Sequence, residues 1–218
     1  MTIASENTTV FDAVTIDRAV RLGTATLHEA AGRIGALPSQ IARITPGQSF
    51  AGPAVTVSGP PADNLWLHRG LLASSLGDVM VVTVGGHHEA GYWGEVMAVA
   101  ARSRGVAGVV IDGCVRDSDA LANVGVPVFA RGLCIRGTDK DPDGVGGVNE
   151  PLTLGDVVVY PGDLVVGDAD GVVDLPAARV DEILDAADAR IAKEARIMAA
   201  LRRGETTVDL LDLPKETR

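Results

Sequence analysis

The chain has 218 residues, 46% hydrophobic but only 3% aromatic, and a formal charge of −10. That length supports an ample core. The acidic balance, with no basic patch to offset it, argues against nucleic acid as a partner.

Two further classes are set aside on pattern. No stretch approaches the roughly 18 apolar residues of a membrane span, and MTIASENTTVF lacks the basic start and apolar run of a secretory leader. The two cysteines, Cys114 and Cys134, show no metal-type spacing, which fits a reduced, cytoplasmic setting.

Residues 1–10 are polar and expected to fray. Asp12 to Leu22 reads as an amphipathic helix with Ala13, Ile16 and Val20 along one side, broken by Gly23. A second short helix starts at Thr24 and ends near Gly35. His28-Glu29 within it is either an exposed helical pair or a functional one. Pro46-Gly47 marks a turn. Ala54 to Ser58 is a strand, stopped by Gly59-Pro60-Pro61. Asn64 to Ala73 is helical, with Leu65, His68, Leu71 and Leu72 at helical spacing, so His68 reads as a packed or surface histidine rather than a ligand. Gly77-Asp78 then turns the chain into the apolar strand Val79 to Val84.

Gly85-Gly86-His87-His88-Glu89 is a glycine-rich loop. A His-His-Glu run invites zinc. Adjacent histidines point different ways, however, and no third imidazole or thiolate lies at a matching offset. The loop reads better as one side of a substrate mouth.

The most informative stretch is GEVMAVAARSRGVAGVVIDGCVRDSD, Gly94 to Asp119. Val96 with Ala100, and Met97 with Ala101, share helical faces. Arg102 and Arg104 followed by Gly105 mark the helix end, cations in the last turn and then a residue that tolerates positive φ. Val106 to Ile111 is a short β-branched strand, left through Asp112-Gly113. The start of the helix, Gly94-Glu95-Val96-Met97, offers unpaired backbone N–H groups to a carboxylate. Arg116-Asp117 is either a surface ion pair or a cation and carboxylate able to hold an oxyanion beside a hard metal ion.

Val126 to Ala130 is another strand, and Gly137 to Asn149 a long loop. Leu152 to Leu175 is β-rich. Its Pro161-Gly162 and Asp170-Gly171 signals suggest antiparallel hairpins, with Asp163, Asp168 and Asp170 as turn residues. Pro176 opens a long helix to Arg203, acidic early and basic late, with Ile183, Ala187, Ile191, Ala195 and Met198 as its apolar stripe. Gly204 ends it. Residues 205–218 form an arm whose Leu210, Leu211 and Leu213 suit a neighbouring surface. These elements describe a mixed α/β layered domain, with two parallel strands joined by the 94–104 helix in a right-handed crossover.

GYWGEVMAVAARSRGVAGVVIDGCVRD, then VPVFARG, then YPGDLVVGDADGV, resembles the divalent-metal pyruvate aldolases that act on 4-hydroxy-4-methyl-2-oxoglutarate and 4-carboxy-4-hydroxy-2-oxoadipate. That family also contains ribonuclease E inhibitor-like regulators. GTATLHEAAGRIG and PPADNLWLH look most like the carboxy-hydroxy-oxoadipate branch, whereas the ending GETTVDLLDLP is closer to the broader family. The likeness spans about residues 20–205. Its signature is an acidic residue, twenty residues, then Arg-Asp, matched here by Glu95 and Arg116-Asp117.

The resemblance implies one α/β domain over residues 1–218, a β/β/α sandwich like the swivelling phosphohistidine domain. It implies backbone amides of Gly94, Glu95, Val96 and Met97 on a pyruvyl carboxylate. Arg116 would sit on the keto and enolate oxygen, and Asp117 would hold Mg²⁺ or Mn²⁺. Glu29 and Glu194 would reach the site, partly from an adjacent subunit of a homotrimer or hexamer. The partners implied are a small oxo-acid substrate and further copies of the chain. The alternative is a non-catalytic regulator of a ribonuclease E-type partner, which lacks the acidic residue that Glu95 supplies.

The residues support the metal route independently. One carboxylate plus waters suits a hard divalent ion, and a neighbouring guanidinium adds charge stabilisation. The rival Schiff-base route needs a desolvated lysine. Lys140, Lys193 and Lys215 lie in a loop, a charged helix and the tail, and none ends an apolar strand. His28, Arg33 and Arg43 remain candidates for distal substrate carboxylates.

Overall fold

Asp12 has extended backbone, and its carboxylate accepts from Thr15 N at 2.8 Å, so the first helix begins where a side chain caps it. A computed structural model describes residues 10–47 and 49–215. The polar start expected to fray falls almost wholly outside the described residues, as do 216–218 of the expected arm.

In chain order the elements are α1 (Ala13–Leu22), α2 (Thr24–Ala30), β1 (Ala42–Arg43), β2 (Phe50–Ser58), α3 (Leu65–Ala73), β3 (Val79–Thr83), α4 (Glu95–Arg104), β4 (Gly108–Val115) and α5 (Ser118–Val124). Then come β5 (Val128–Leu133), β6 (Gly147–Val148), β7 (Leu152–Leu154), β8 (Val157–Val159), β9 (Leu164–Gly167), β10 (Val172–Leu175), a single 3₁₀ turn (Ala177–Arg179), α6 (Val180–Arg202) and α7 (Thr207–Leu210).

The fold is mixed α/β. One curled sheet has the strand order β1-β5-β4-β3-β2-β9-β10, with β6 paired to the end of β2. β2, β3, β4 and β5 run parallel, and each step between them carries one helix: α3, α4, then α5. All three helices cover one face, where Leu67, Met97, Ala98, Ala101 and Leu121 pack on Val57, Met80, Val82 and Ile111. The alternate residues of the same strands, Val79, Val81, Val110 and Phe129, pack on Leu152, Leu154 and Val159 of the β7–β8 ribbon. Cover on both faces explains why these strands read as unbroken apolar runs.

β2 is long enough to serve twice. Its second half pairs with β3, while Phe50 to Pro53 pairs antiparallel with β9. β9 and β10 carry α1, α2 and α6 on their outer side, around Leu164, Val166, Val173, Leu175 and Ile183. Arg18 ties α1 to α6 by donating to Asp188 at 2.6 Å and Asp185 at 2.7 Å.

Several expectations are corrected. β4 does not leave the sheet at Asp112-Gly113. It continues to Val115 across a register shift between Ile111 and Cys114, so the charged dipeptide emerges one turn of chain later than its apolar run suggests. The second helix stops at Ala30, not near Gly35. Of the two expected hairpins only the one at Asp170-Gly171 forms, β9–β10, while an unforeseen one, β7–β8, turns at Gly155-Asp156. Pro161-Gly162-Asp163 instead hands the chain from the ribbon to the large sheet. On α4 it is Met97, Ala98 and Ala101 that face the core, while Val96 is exposed. On α6 only Ile183 and Ala187 of the stripe are buried, because the helix outruns the sheet beneath it and leaves Ile191 and Met198 at the surface.

Replacing Asp12 by Ala removes the α1 cap. Urea denaturation should show a lowered midpoint with an unchanged m-value.

Candidate active site

The start of α4 and the end of β4 meet at Asp117. A track of backbone, residues 88–94, runs alongside the exit of β4: Cys114 N donates to His88 O at 2.9 Å, Tyr92 N to Cys114 O at 3.0 Å, and Arg116 N to Trp93 O at 2.8 Å. The Arg116 side chain lies over this track. A Cβ at Gly91 would stand 3.2 Å from its Cβ and Cδ, and one at Gly94 would stand 3.2 Å from its Cγ and 3.3 Å from Nε. At Gly91 a Cβ would also overlap the Cys134 carbonyl oxygen, a backbone atom, so glycine is required there, whereas at Gly94 a Cβ would push side chains aside.

Asp117 has φ +62°, in the left-handed region, and is the N-cap residue of α5. It does not cap α5 with its side chain. Its Oδ2 instead accepts from Glu95 N at 3.1 Å, at the start of α4, and lies 3.7 Å from Arg116 Nε. A Cβ on Gly94 would overlap that same carboxylate oxygen. The amides of Val96 and Met97 follow, and the helix itself gives them no acceptor. Ala98 N already bonds to Gly94 O at 3.0 Å. The side chains of Arg116 and Asp117 are 46% and 43% exposed, so both are open to a ligand. Glu95 is exposed at the same rim.

The site rests on buried polar support that residue spacing did not reveal. Asn64 Nδ2 donates to Tyr92 O at 3.1 Å and to Met97 Sδ at 3.5 Å, bracing the track against α4. Tyr92 OH donates to His87 O at 2.6 Å and accepts from Ala62 N at 2.8 Å, and burial raises its pKa. Asn64 Oδ1 and Trp93 Nε1 are buried and find no partner among the described residues. Asp112, an acid inside a Val-Val-Ile run, pairs with Arg131 on the neighbouring strand at 2.5 Å. That misplaced acid was the available signal.

Other expected site residues lie apart. Glu29 and Glu194 are brought together by Arg190, 3.5 Å from Glu29 Oε2 and 2.9 Å from Glu194 Oε1, with Arg33 a further 3.3 Å partner of Glu29. This group sits where α2 crosses α6. Among the described residues no ion pair or hydrogen bond links it to Arg116 or Asp117. His28 and Arg33 line one cavity, while His28 and Arg43 line a second beside it. Asp163 and Asp168 do act as turn and cap residues. Asp163 accepts from Tyr160 N and Ala177 N, and Asp168 from Thr24 at the start of α2. Lys215 is held by Asp209 at 2.5 Å. Both cysteines are free, and burial raises the Cys114 thiol pKa.

The donor set fits a hard divalent ion in one form only. Among the described residues no three His, Cys, Asp or Glu side chains cluster to hold a metal. Asp117 supplies one accessible carboxylate. Mg²⁺-type sites of that kind complete their octahedron with waters and substrate oxygens.

The profile of the RraA-like family, described as Aldolase/RraA, matches residues 8–173. A Halalkalibacterium halodurans protein named "Putative 4-hydroxy-4-methyl-2-oxoglutarate aldolase" is 34% identical over 164 residues, covering 75% of this chain and 77% of that protein. A crystal structure of an uncharacterized protein from Pseudomonas syringae superposes with TM-score 0.80 at 30% identity, over 96% of this chain and 98% of that one. The RNA-processing inhibitor RraA from Thermus thermophilis superposes with TM-score 0.64 at 30% identity, over 71% and 92%. No helix among the described residues is long and apolar enough to cross a membrane.

Asp174, 3% exposed in the His28–Arg33 cavity, has its pKa pushed up to about 8 by desolvation and then by nearby Asp163. A raised carboxyl pKa means the folded chain holds a proton that the unfolded chain has lost. Stability contributed by that proton is present at low pH and falls as pH climbs from about 4 to about 8. Asp174→Asn should flatten that part of the curve in chemical denaturation followed against pH.

Proposed function

The chain belongs to the RraA-like family, Aldolase/RraA, and we propose that it is a divalent-metal-dependent lyase cleaving a 4-hydroxy-2-oxo acid to pyruvate. The substrate proposed is 4-carboxy-4-hydroxy-2-oxoadipate, which yields pyruvate and oxaloacetate. Decarboxylation of oxaloacetate follows as a side activity, because it passes through the same enolate.

The observation that carries this reading is the convergence on one carboxylate. Asp117 Oδ2 lies 3.1 Å from the first amide of α4 and 3.7 Å from the Arg116 guanidinium. A pyruvyl carboxylate docks on the neighbouring amides of Val96 and Met97, where the helix dipole favours an anion. Arg116, held flat on the glycine track, stands beside the C2 oxygen. As the C3–C4 bond breaks, its electron pair moves into the C2–C3 enolate, and the charge on the C2 oxygen falls beside the guanidinium. The C4 hydroxyl gives up its proton and becomes the carbonyl of the second product, and C3 is then protonated. Mg²⁺ or Mn²⁺ at Asp117 supplies Lewis-acid polarisation of the keto acid when bound.

Glu29 and Glu194 are the carboxylates proposed for proton transfer, contributed by a second copy in a homotrimer or hexamer. Arg190 stands between them and is ion-paired with both. This protein family also includes RNA-processing inhibitors, and the same assay separates the two readings, since a regulator of another protein turns over no oxo acid.

Pyruvate release from oxaloacetate and from the oxoadipate substrate should require Mg²⁺ or Mn²⁺. It should be abolished by chelator and by Asp117→Ala. Turnover surviving both would refute the metal route. Gly94→Ala, whose methyl group displaces the Asp117 carboxylate, should lower kcat/KM about 100-fold while circular dichroism stays native.

A further inference from the structure

A cavity of about 350 Å³ opens between the loop after α2, the turn joining β7 to β8, and the end of β10. That lies within the range of small-molecule sites, about 300–1,000 Å³. Its lining includes neither Arg116 nor Asp117, and only His28 and Arg33 of it figure among the retro-aldol candidates.

Its floor is Asp174. Strand alternation fixes where this side chain points: Val173 and Leu175 pack among the helices, whereas Val172 packs on the ribbon side, so Asp174 faces the ribbon and the cavity beside it. The residue is 3% exposed, and among the described residues its Oδ1 finds no hydrogen-bond partner. A buried carboxyl in that condition is costly unless a ligand completes it. Gly35, at φ +79°, lets the wall pass so near the Asp174 carbonyl that a Cβ would overlap it. Asp174 N in turn donates to Gly35 O at 2.8 Å.

The surroundings select the ligand charge. Behind Asp174 stands Asp163, whose two oxygens already accept from Ala177 N at 2.9 Å and Tyr160 N at 3.1 Å. Asp156 lines the mouth and is exposed. Arg33, the cationic side chain of the lining, is paired with Glu29 at 3.3 Å. The His28 ring is engaged through Nδ1 with Ile34 O at 3.0 Å. An anionic ligand would meet carboxyls at both floor and mouth. A hydrated divalent ion, which the open Asp117 carboxylate can share with waters, fits poorly here, because Asp174 is 3% exposed and the wall beside it is aliphatic. The remaining wall, Ile34, Ala36, Val157, Val158 and Pro176, is apolar.

We propose that this cavity binds a small primary ammonium ion with a short apolar stem, the Asp174 carboxylate receiving the ammonium and the aliphatic wall the stem. Near neutral pH the empty site carries its proton on Asp174, whose pKa is about 8. Ammonium binding favours the carboxylate, so the site releases a proton as it fills.

The test uses the whole chain at pH 7 with n-propylammonium chloride as probe, followed by calorimetry in lightly buffered solution with parallel measurement of proton release. Saturable binding at one site per chain, with release of close to one proton, is the expected result. n-Propanol and propionate, which match the stem but not the charge, should bind at least about tenfold more weakly. Asp174→Asn, nearly isosteric with the protonated acid, should abolish the proton release and weaken binding about tenfold or more. Asp156→Asn at the exposed mouth should weaken it by a smaller factor and still release the proton. Absence of saturable binding to the native chain would overturn the proposal. So would equal binding of n-propanol, which would mark a merely apolar cavity, or undiminished binding by a folded Asp174→Asn chain.

Discussion

A carboxylate pressed against a helix start organises this molecule. Asp117 adopts a left-handed backbone, which for a residue with a Cβ costs roughly 1–2 kcal/mol. The contact to Glu95 N offsets part of that cost, because it satisfies one of the orphan amides of α4 and places a negative charge at the positive end of the helix dipole. A Cβ at Gly94 would displace this carboxylate from the helix start. Sequence, strain and electrostatics therefore meet in three residues: the glycine that admits the carboxylate, the aspartate that supplies it, and the arginine that lies beside both.

The sheet makes this contact rigid. α4 and α5 both begin at the carboxyl ends of neighbouring parallel strands, the place where open α/β sheets gather their ligands. β3 and β4 are paired over five positions from Val79–Gly108 to Thr83–Asp112, so the two strand ends cannot slide against one another without turning every core side chain to the wrong face. The 88–94 track adds three further backbone hydrogen bonds to the last residues of β4 and to Arg116. Asn64 and Tyr92 lock that track from beneath with buried side-chain bonds. A site built this way holds its donors in place before any ligand arrives, which is what electrostatic stabilisation of a developing charge requires.

The acidic surplus is distributed rather than pooled. Some carboxylates cap helices or pin turns, as Asp12, Asp163 and Asp168 do. Others join α1 to α6 through Arg18 or gather on Arg190. Asp174 belongs to neither group, because it is buried with an unpartnered oxygen in a wall of aliphatic side chains. Relatives are named differently, one a "Putative 4-hydroxy-4-methyl-2-oxoglutarate aldolase" and another an RNA-processing inhibitor. Function on this scaffold has to be argued from such local chemistry and not from the fold.

The sequence alone determined the local order of this protein. Helices at 13–22, 65–73 and 95–104 and strands at 79–83 and 164–167 follow from apolar period, capping residues and glycine stops, all short-range signals. The spacing of Glu95, Arg116 and Asp117 marked the candidate centre through family resemblance, and the dipole logic of a helix start suggested what such a place attracts. Only the tertiary structure decided the rest. It carried β4 past Asp112 to Val115, because pairing with β5 resumes after a register shift that no apolar run encodes. It left three of the five α6 stripe residues exposed, because exposure depends on how far the sheet extends beneath a helix. It gathered Glu29, Arg190 and Glu194 into a cluster separate from Asp117 within the chain, and it buried Asp174 against Asp163. Those outcomes depend on contacts between segments distant in sequence, and periodicity holds no record of which distant segments will meet.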